Sequence, residues 1–181
     1  MHILALSGSL RPGSANTALL HAAAAMAPAG TTVTLYPSLA QLPYFMPGDY
    51  DSVPAPAVTD FRAQLQAADA VLICTPEYVF SMPGVLKNAL EWLVASAELY
   101  HKPVAIWSAS PSPTGGAQAH ESVVRMLRVM EAGLVEAAAL MVPGVSGKIN
   151  KHGEVTDSGL QKSLRKALQH LVAAAHHPPF A

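Results

Sequence analysis

A doubly wound α/β fold, one parallel sheet with helices on both faces, is predicted by three observations. Short apolar runs recur along the whole chain, amphipathic helical stripes fall between them, and no repeat, low-complexity tract or linker divides the sequence. A strand, a helix and a parallel strand connect by a right-handed crossover, so this alternation demands a sheet covered on both sides. At 181 residues the chain has the length of a single domain, 1–181, large enough to bury a proper core.

Ile3 to Leu6 is the first apolar run and reads as a buried strand. It stops in small polar residues, and a stripe of Leu19, Leu20, Ala23 and Ala27 marks the first helix. Thr32 to Tyr36 alternates apolar and β-branched residues and is the second strand. Pro37 to Pro56 has five prolines and no evident element; such loops are often lids or interface arms. There Tyr44, Phe45 and Tyr50 have two readings: they cover a planar ligand or a neighbouring subunit, or they pin the loop to its own domain. Val58, Phe61, Leu65 and Ala68 form the second helix, and Ala70 to Cys74 the third strand. Val85, Leu86, Ala89, Leu90 and Leu93 form the third helix, with Pro83 in its first turn. Val104 to Trp107 is the fourth strand, and Val123, Val124, Leu127 and Met130 the fourth helix. Leu140 to Val142, with the alanines before it, is the fifth strand, against alanine's preference for helix. Leu160, Leu164, Leu168 and Leu171 form the last helix, and the tail after Val172 is expected to fray. Five strands and five helices point to the flavodoxin-like order 2-1-3-4-5, in which a ligand sits at the carboxyl ends of strands one and three.

Composition removes several classes of function. Charged residues make up 13% and hydrophobic ones 51%, which argues against disorder and suggests apolar surface covered by a partner subunit. A net charge of −1 gives no electrostatic footprint for nucleic acid. No secretory leader pattern and no apolar span of membrane length occur, so no membrane role and a cytoplasmic location are expected. Cys74 is the sole cysteine and sits in an apolar run, the place of a buried, inert thiol. The eight histidines show no metal-ligand spacing, so no metal is expected, and no Gly-x-Ser-x-Gly elbow points to a hydrolase.

Three strand ends are unusual. The first, Ser7-Gly8-Ser9-Leu10-Arg11 followed by Ser14 and Asn16, leads from strand to helix, where free N–H groups and the positive dipole end favour an anion. Ser9, Ser14 and Asn16 offer side-chain donors there, and Arg11 a two-pronged charge. The plain alternative is an ordinary turn with Ser14 as helix cap. Neither Gly-x-Gly-x-x-Gly nor Gly-x-x-x-x-Gly-Lys-Ser/Thr occurs, so a phosphate monoester fits better than a dinucleotide or triphosphate. The second strand end is Thr75-Pro76-Glu77-Tyr78-Val79-Phe80 and the third Ser108 to Gln118, with Gly115 and Gly116 permitting close approach of backbone to a flat ligand. Glu77 reads either as a ligand contact or as an ion-pair partner of Lys87 or Arg11. Lys87 itself sits one turn before Glu91, an ordinary surface pair.

Gly8-Ser9-Leu10-Arg11 with Ser14 and Asn16, then Pro76-Glu77-Tyr78 with Pro83-Gly84-Val85-Leu86-Lys87-Asn88-Ala89 and Trp92, then Gly115-Gly116, resemble the NAD(P)H-dependent FMN reductase family, which includes quinone and chromate reductases. The likeness covers roughly residues 1 to 145. It implies a flavodoxin-like subunit that holds FMN, uses NADPH or NADH as co-substrate and forms a homodimer or homotetramer. It also maps the flavin phosphate to Ser9, Arg11, Ser14, Ala15 and Asn16, and the isoalloxazine ring to Pro76, Glu77, Tyr78 and Val79 on one side and Ser108, Ser110, Gly115 and Gly116 on the other. Relatives commonly carry asparagine where this chain has Val79, which removes an amide near the ring, and aspartate where it has Glu91.

The expected function is ping-pong transfer of electrons from a reduced nicotinamide through FMN to a small-molecule acceptor such as a quinone. The flavin performs this chemistry and no side chain is required as acid or base, so no catalytic residue is named. Helix-end N–H groups and loop donors would stabilise negative charge on the reduced ring. The alternative is a non-catalytic FMN-binding or electron-carrier protein. Arg11 and the near-neutral charge favour the enzyme, because carrier flavodoxins are usually more acidic and lack an arginine in the phosphate loop.

Overall fold

The computed structural model describes residues 1–46, 48 and 54–176. Its elements run β1 (His2–Ser7), α1 (Ala15–Ala25), β2 (Thr32–Leu35), α2 (Pro56–Ala67), β3 (Ala70–Thr75), α3 (Gly84–Glu91), β4 (Pro103–Ser110), α4 (Ala117–Val129), β5 (Gly133–Leu134), β6 (Leu140–Pro143) and α5 (Ser158–His176). All sheet pairings are parallel, in the order β2-β1-β3-β4-β5, with β6 also paired to β4. This is the flavodoxin-like order expected from the alternation of strands and helices.

Alternate side chains of a strand face opposite sides of the sheet, and here each side meets its own helices. Ile3, Ala5, Leu72, Cys74, Ala105 and Trp107 pack against Leu19, Leu20 and Ala23 of α1 and Leu160, Leu164, Leu168 and Leu171 of α5. Leu4, Leu6, Val71, Ile73, Val104 and Ile106 pack against Val58, Phe61 and Leu65 of α2, Leu86 and Leu90 of α3, and Val123 and Leu127 of α4. β3 is buried at all six positions, as its unbroken apolar run requires. Each such fully buried Leu, Ile or Phe contributes about 1.5–3 kcal/mol relative to exposure.

The far edge of the sheet differs from the expected single fifth strand. Gly133–Leu134 pairs with Pro103 and Val104, whereas Leu140–Pro143 pairs with the stretch from Trp107 to Ser110. Of the alanines before Leu140, Ala137 and Ala138 lie in a 3-10 turn, Glu136–Ala138, and Ala139 caps it; none is in the strand. The Trp107 indole N–H donates to the Ala138 carbonyl at 2.9 Å, so the buried tryptophan holds this turn against the sheet.

Smaller differences have local causes. Pro83 occupies the cap position just before α3, not its first turn. α5 continues four residues past Val172 to His176, and His177 lies outside the described residues. In the long loop, a 3-10 turn over Leu39–Gln41 buries Leu39. The Pro43 carbonyl accepts from Asn88 Nδ2 at 3.0 Å and Trp92 Nε1 at 2.8 Å, and the Phe45 ring meets Trp92 edge-on at 5.3 Å. Phe45 therefore pins the loop to its own domain. Tyr44 is 87% exposed, and Tyr50 lies outside the described residues.

Candidate functional site

The register of the central strands sets the site. Ser7 stands level with Cys74, Cys74 with Trp107, and Thr75 with Ser108, so β1, β3 and β4 end along one edge of the sheet. The three loops singled out in the sequence leave from that edge.

The first loop is short and tied inward. Gly8 N–H donates to the Cys74 carbonyl at 2.8 Å. The Ser7 and Thr17 hydroxyls lie 2.8 Å apart, joining the end of β1 to α1; this pairing was not anticipated, although Ser7 opens the serine-rich turn. Ser14 caps α1, accepting the Asn16 N–H at 3.2 Å, and the remaining N–H groups of that first turn have no acceptors within the helix. The side chain of Asn16 faces inward: Nδ2 donates to the Ala109 carbonyl at 3.3 Å and Oδ1 accepts from the Cys74 thiol at 3.3 Å. Its amide therefore binds the first loop to β3 and β4, rather than standing free as an outward donor. Ser9 is buried, its hydroxyl accepting the Arg11 N–H at 3.3 Å. Arg11 is exposed and forms no ion pair among the described residues. Ala15 opens the helix beside it.

The second loop turns sharply. Tyr78 and Ser81 exchange N–H···O bonds of 3.0 and 3.1 Å, enclosing Val79 and Phe80 in a two-residue hairpin. Both enclosed residues are left-handed, with φ of 50° and 58°, and both are exposed, 95% for Val79 and 79% for Phe80. Pro76 is buried and Tyr78 half exposed. Among the described residues Glu77 forms no ion pair with Lys87 or Arg11. Its Oε2 accepts the backbone N–H groups of Gln118 at 2.8 Å and Ala119 at 3.1 Å, in the first turn of α4. Lys87 pairs instead with Glu91.

The third loop folds upon itself. Ser110 accepts from Ser112 N–H at 3.1 Å, and the Ser112 carbonyl accepts from Gly115 N–H at 3.2 Å and Gly144 N–H at 3.3 Å. Gly115 is left-handed, and a Cβ there would lie 3.0 Å from the Pro143 nitrogen, so β6 itself demands this glycine. Gly116, at φ 84°, lies over Ser108; a Cβ on it would come 3.4 Å from Ser108 Cβ. The Ser108 hydroxyl is buried with no hydrogen-bond partner among the described residues, an arrangement native interiors rarely leave. His120, one turn into α4, has its Nδ1 likewise buried and without a partner among the described residues, and burial pushes its pKa below the ordinary histidine value.

Ser9, Arg11, Ser14 and Ala15 also line a broad cleft that runs beside α1 toward Asn150 and Thr156. The second and third loops do not line that cleft; they meet the first loop along the strand ends. Burial raises the Cys74 thiol pKa well above its ordinary value, which keeps it protonated and unreactive. No group of three or more His, Cys, Asp or Glu side chains suited to a metal occurs among the described residues. None of the described helices is long and apolar enough to cross a membrane.

Residues 1–147 match the sequence model of the NADPH-dependent FMN reductase family. An NAD(P)H-dependent FMN reductase of Pseudomonas aeruginosa is 34% identical over 171 residues, covering 93% of this chain and 92% of that protein. A quinone reductase of Escherichia coli strain K12 is 34% identical over 163 residues, covering 88% and 87%. Among solved structures, a flavoenzyme NAD(P)H:acceptor oxidoreductase of Paracoccus denitrificans superposes with a TM-score of 0.87 at 24% identity, covering 98% of each chain. That last likeness speaks for the shared fold.

Proposed function

The chain belongs to the NADPH-dependent FMN reductase family, and from that premise we propose that it carries electrons from NADPH or NADH through FMN to a quinone or a similar small acceptor. One observation carries the placement of the cofactor: an exposed Arg11, free of ion pairs among the described residues, stands beside the open first turn of α1 at the carboxyl end of β1. A guanidinium and free helix-end N–H groups together suit a phosphate dianion. The unpartnered Ser108 hydroxyl is a second observation in favour, because a polar ring edge laid along the strand ends would supply the missing partner.

In this reading Ser9, Arg11, Ser14, Ala15 and Asn16 hold the phosphate, with Asn16 acting by fixing the loop to β3 and β4. Pro76, Glu77, Tyr78 and Val79 border the ring on one side, and Ser108, Ser110, Gly115 and Gly116 on the other. FMN supplies the hydride acceptor and electron relay, chemistry that none of these side chains possesses. The residues bind, orient and shield; none is assigned proton transfer. Tyr78 and Val79 remain exposed, leaving an open edge at which a nicotinamide departs before the acceptor arrives, so ping-pong exchange is the proposed order. The match to a quinone reductase over most of both chains supports a quinone as acceptor. An apolar-rich composition supports a homodimer or homotetramer.

The test is anaerobic mixing of the FMN-loaded protein with NADPH, followed by a quinone. Rapid loss of the oxidised flavin absorbance and its return on adding the quinone are expected. No bleaching over many minutes would remove the enzymatic reading and leave an electron carrier. Initial rates at several concentrations of both substrates should give parallel double-reciprocal lines; intersecting lines would refute the ping-pong order.

A further inference from the structure

Of the helices that start at the functional edge, α1 and α4 have first turns that are treated differently. α1 is capped by the neutral hydroxyl of Ser14, so its positive end stays available to an anion. α4 starts at Gly116, which has no side chain to cap it, and has no acidic residue in its own first turn. Its cap comes from 41 and 42 residues away: the carboxylate of Glu77 takes the N–H groups of Gln118 and Ala119. One side chain thus joins the second loop to the helix that follows the third. It also places a full negative charge on the end of α4, where the dipole would otherwise present a positive one.

We propose that Glu77 is a positioning residue, which fixes the spacing of the second and third loops and cancels the positive end of α4 beside the flavin ring. This rests on the proposed FMN site. The two helix starts then serve different ends, with that of α1 receiving the phosphate and that of α4 withheld from the ring. The expected stabilisation of a reduced, negatively charged ring by helix-end N–H groups is then absent at α4, and the cofactor is held at a lower potential than an uncapped α4 would give.

Wild type, Glu77→Gln and Glu77→Ala are compared by FMN fluorescence titration, by dye-coupled measurement of the midpoint potential, and by amide hydrogen exchange at Gln118 and Ala119 in the apoprotein. Glu77→Gln keeps an acceptor oxygen but loses the charge, so the midpoint potential should rise, with a smaller loss of FMN affinity than in Glu77→Ala. Glu77→Ala should raise the potential as well, speed exchange at both amides, and weaken FMN binding by about tenfold or more as the loops lose their strut. A cap of purely structural value would leave the Glu77→Gln potential unmoved, and that result overturns the proposal. All three proteins binding FMN with one potential and one affinity would overturn it too, while leaving the cofactor site standing. Failure of the wild type to take up FMN would remove the cofactor reading, and this proposal with it.

Discussion

Arg11 is conspicuous because a charged, planar group among small residues at a strand end has few structural uses, and the fold leaves it without an ion-pair partner among the described residues. Charge-assisted hydrogen bonds of this kind are worth about 1.5–3 kcal/mol, so Arg11→Ala should weaken FMN binding by roughly ten- to a hundredfold or more. Unchanged affinity in a fluorescence titration would place the phosphate elsewhere. Cys74 was legible in the sequence, since an apolar run has little room for a reactive thiolate. The contacts of Glu77 and Asn16 were not. Their partners, Gln118, Ala119 and Ala109, are brought near by the parallel register of β1, β3 and β4, and no local pattern records a contact across 41, 42 or 93 positions. Ser108 was singled out from its loop, but its lack of a partner depends on what folds over it.

Among the elements, the hairpin over Tyr78 to Ser81 holds two successive non-glycine residues in left-handed backbone. A two-residue turn of this hand requires left-handed backbone at both central residues and favours Asn-Gly; Val79, β-branched, is poorly suited to it. The asparagine that the family resemblance leads one to expect here would thus have a backbone reason that the sequence, read for ring contacts, did not disclose. Val79→Asn should relieve the turn and raise stability by about 1 kcal/mol, read as a higher urea midpoint with unchanged slope. A lower midpoint would show that the valine side chain has a compensating contact. Long periodic segments were placed well, because α2, α4 and α5 each bury one regular stripe. The divided far edge was missed, since Gly133–Leu134 is too short to carry a period and a run of identical methyl side chains has no pattern to disclose the 3-10 turn.

At the scale of the whole molecule, the sheet divides the interior into two layers, and each holds a tryptophan: Trp107 in one, Trp92 in the other. If the chain is a single cooperative domain, both layers must be lost together. The variants Trp92→Phe and Trp107→Phe each leave one reporter, and their urea transitions by fluorescence should coincide with those by circular dichroism of the same variant. Separate transitions would show that the layers unfold independently. The overall topology was readable because each crossover has a fixed hand and both layers have to be filled. Which loops touch across the top depends on register instead.

The broken margin formed by β5 and β6 has a further outcome for the company the molecule keeps. An extended peptide seeking to lengthen the sheet would find two and four residues there, out of line with one another, and only four on the opposite margin at β2. Short rims of this sort give a foreign ribbon little backbone to zip against. Copies of the chain that come together are left with helices and loops as their meeting surfaces, which keeps fibre-like stacking apart from ordered assembly.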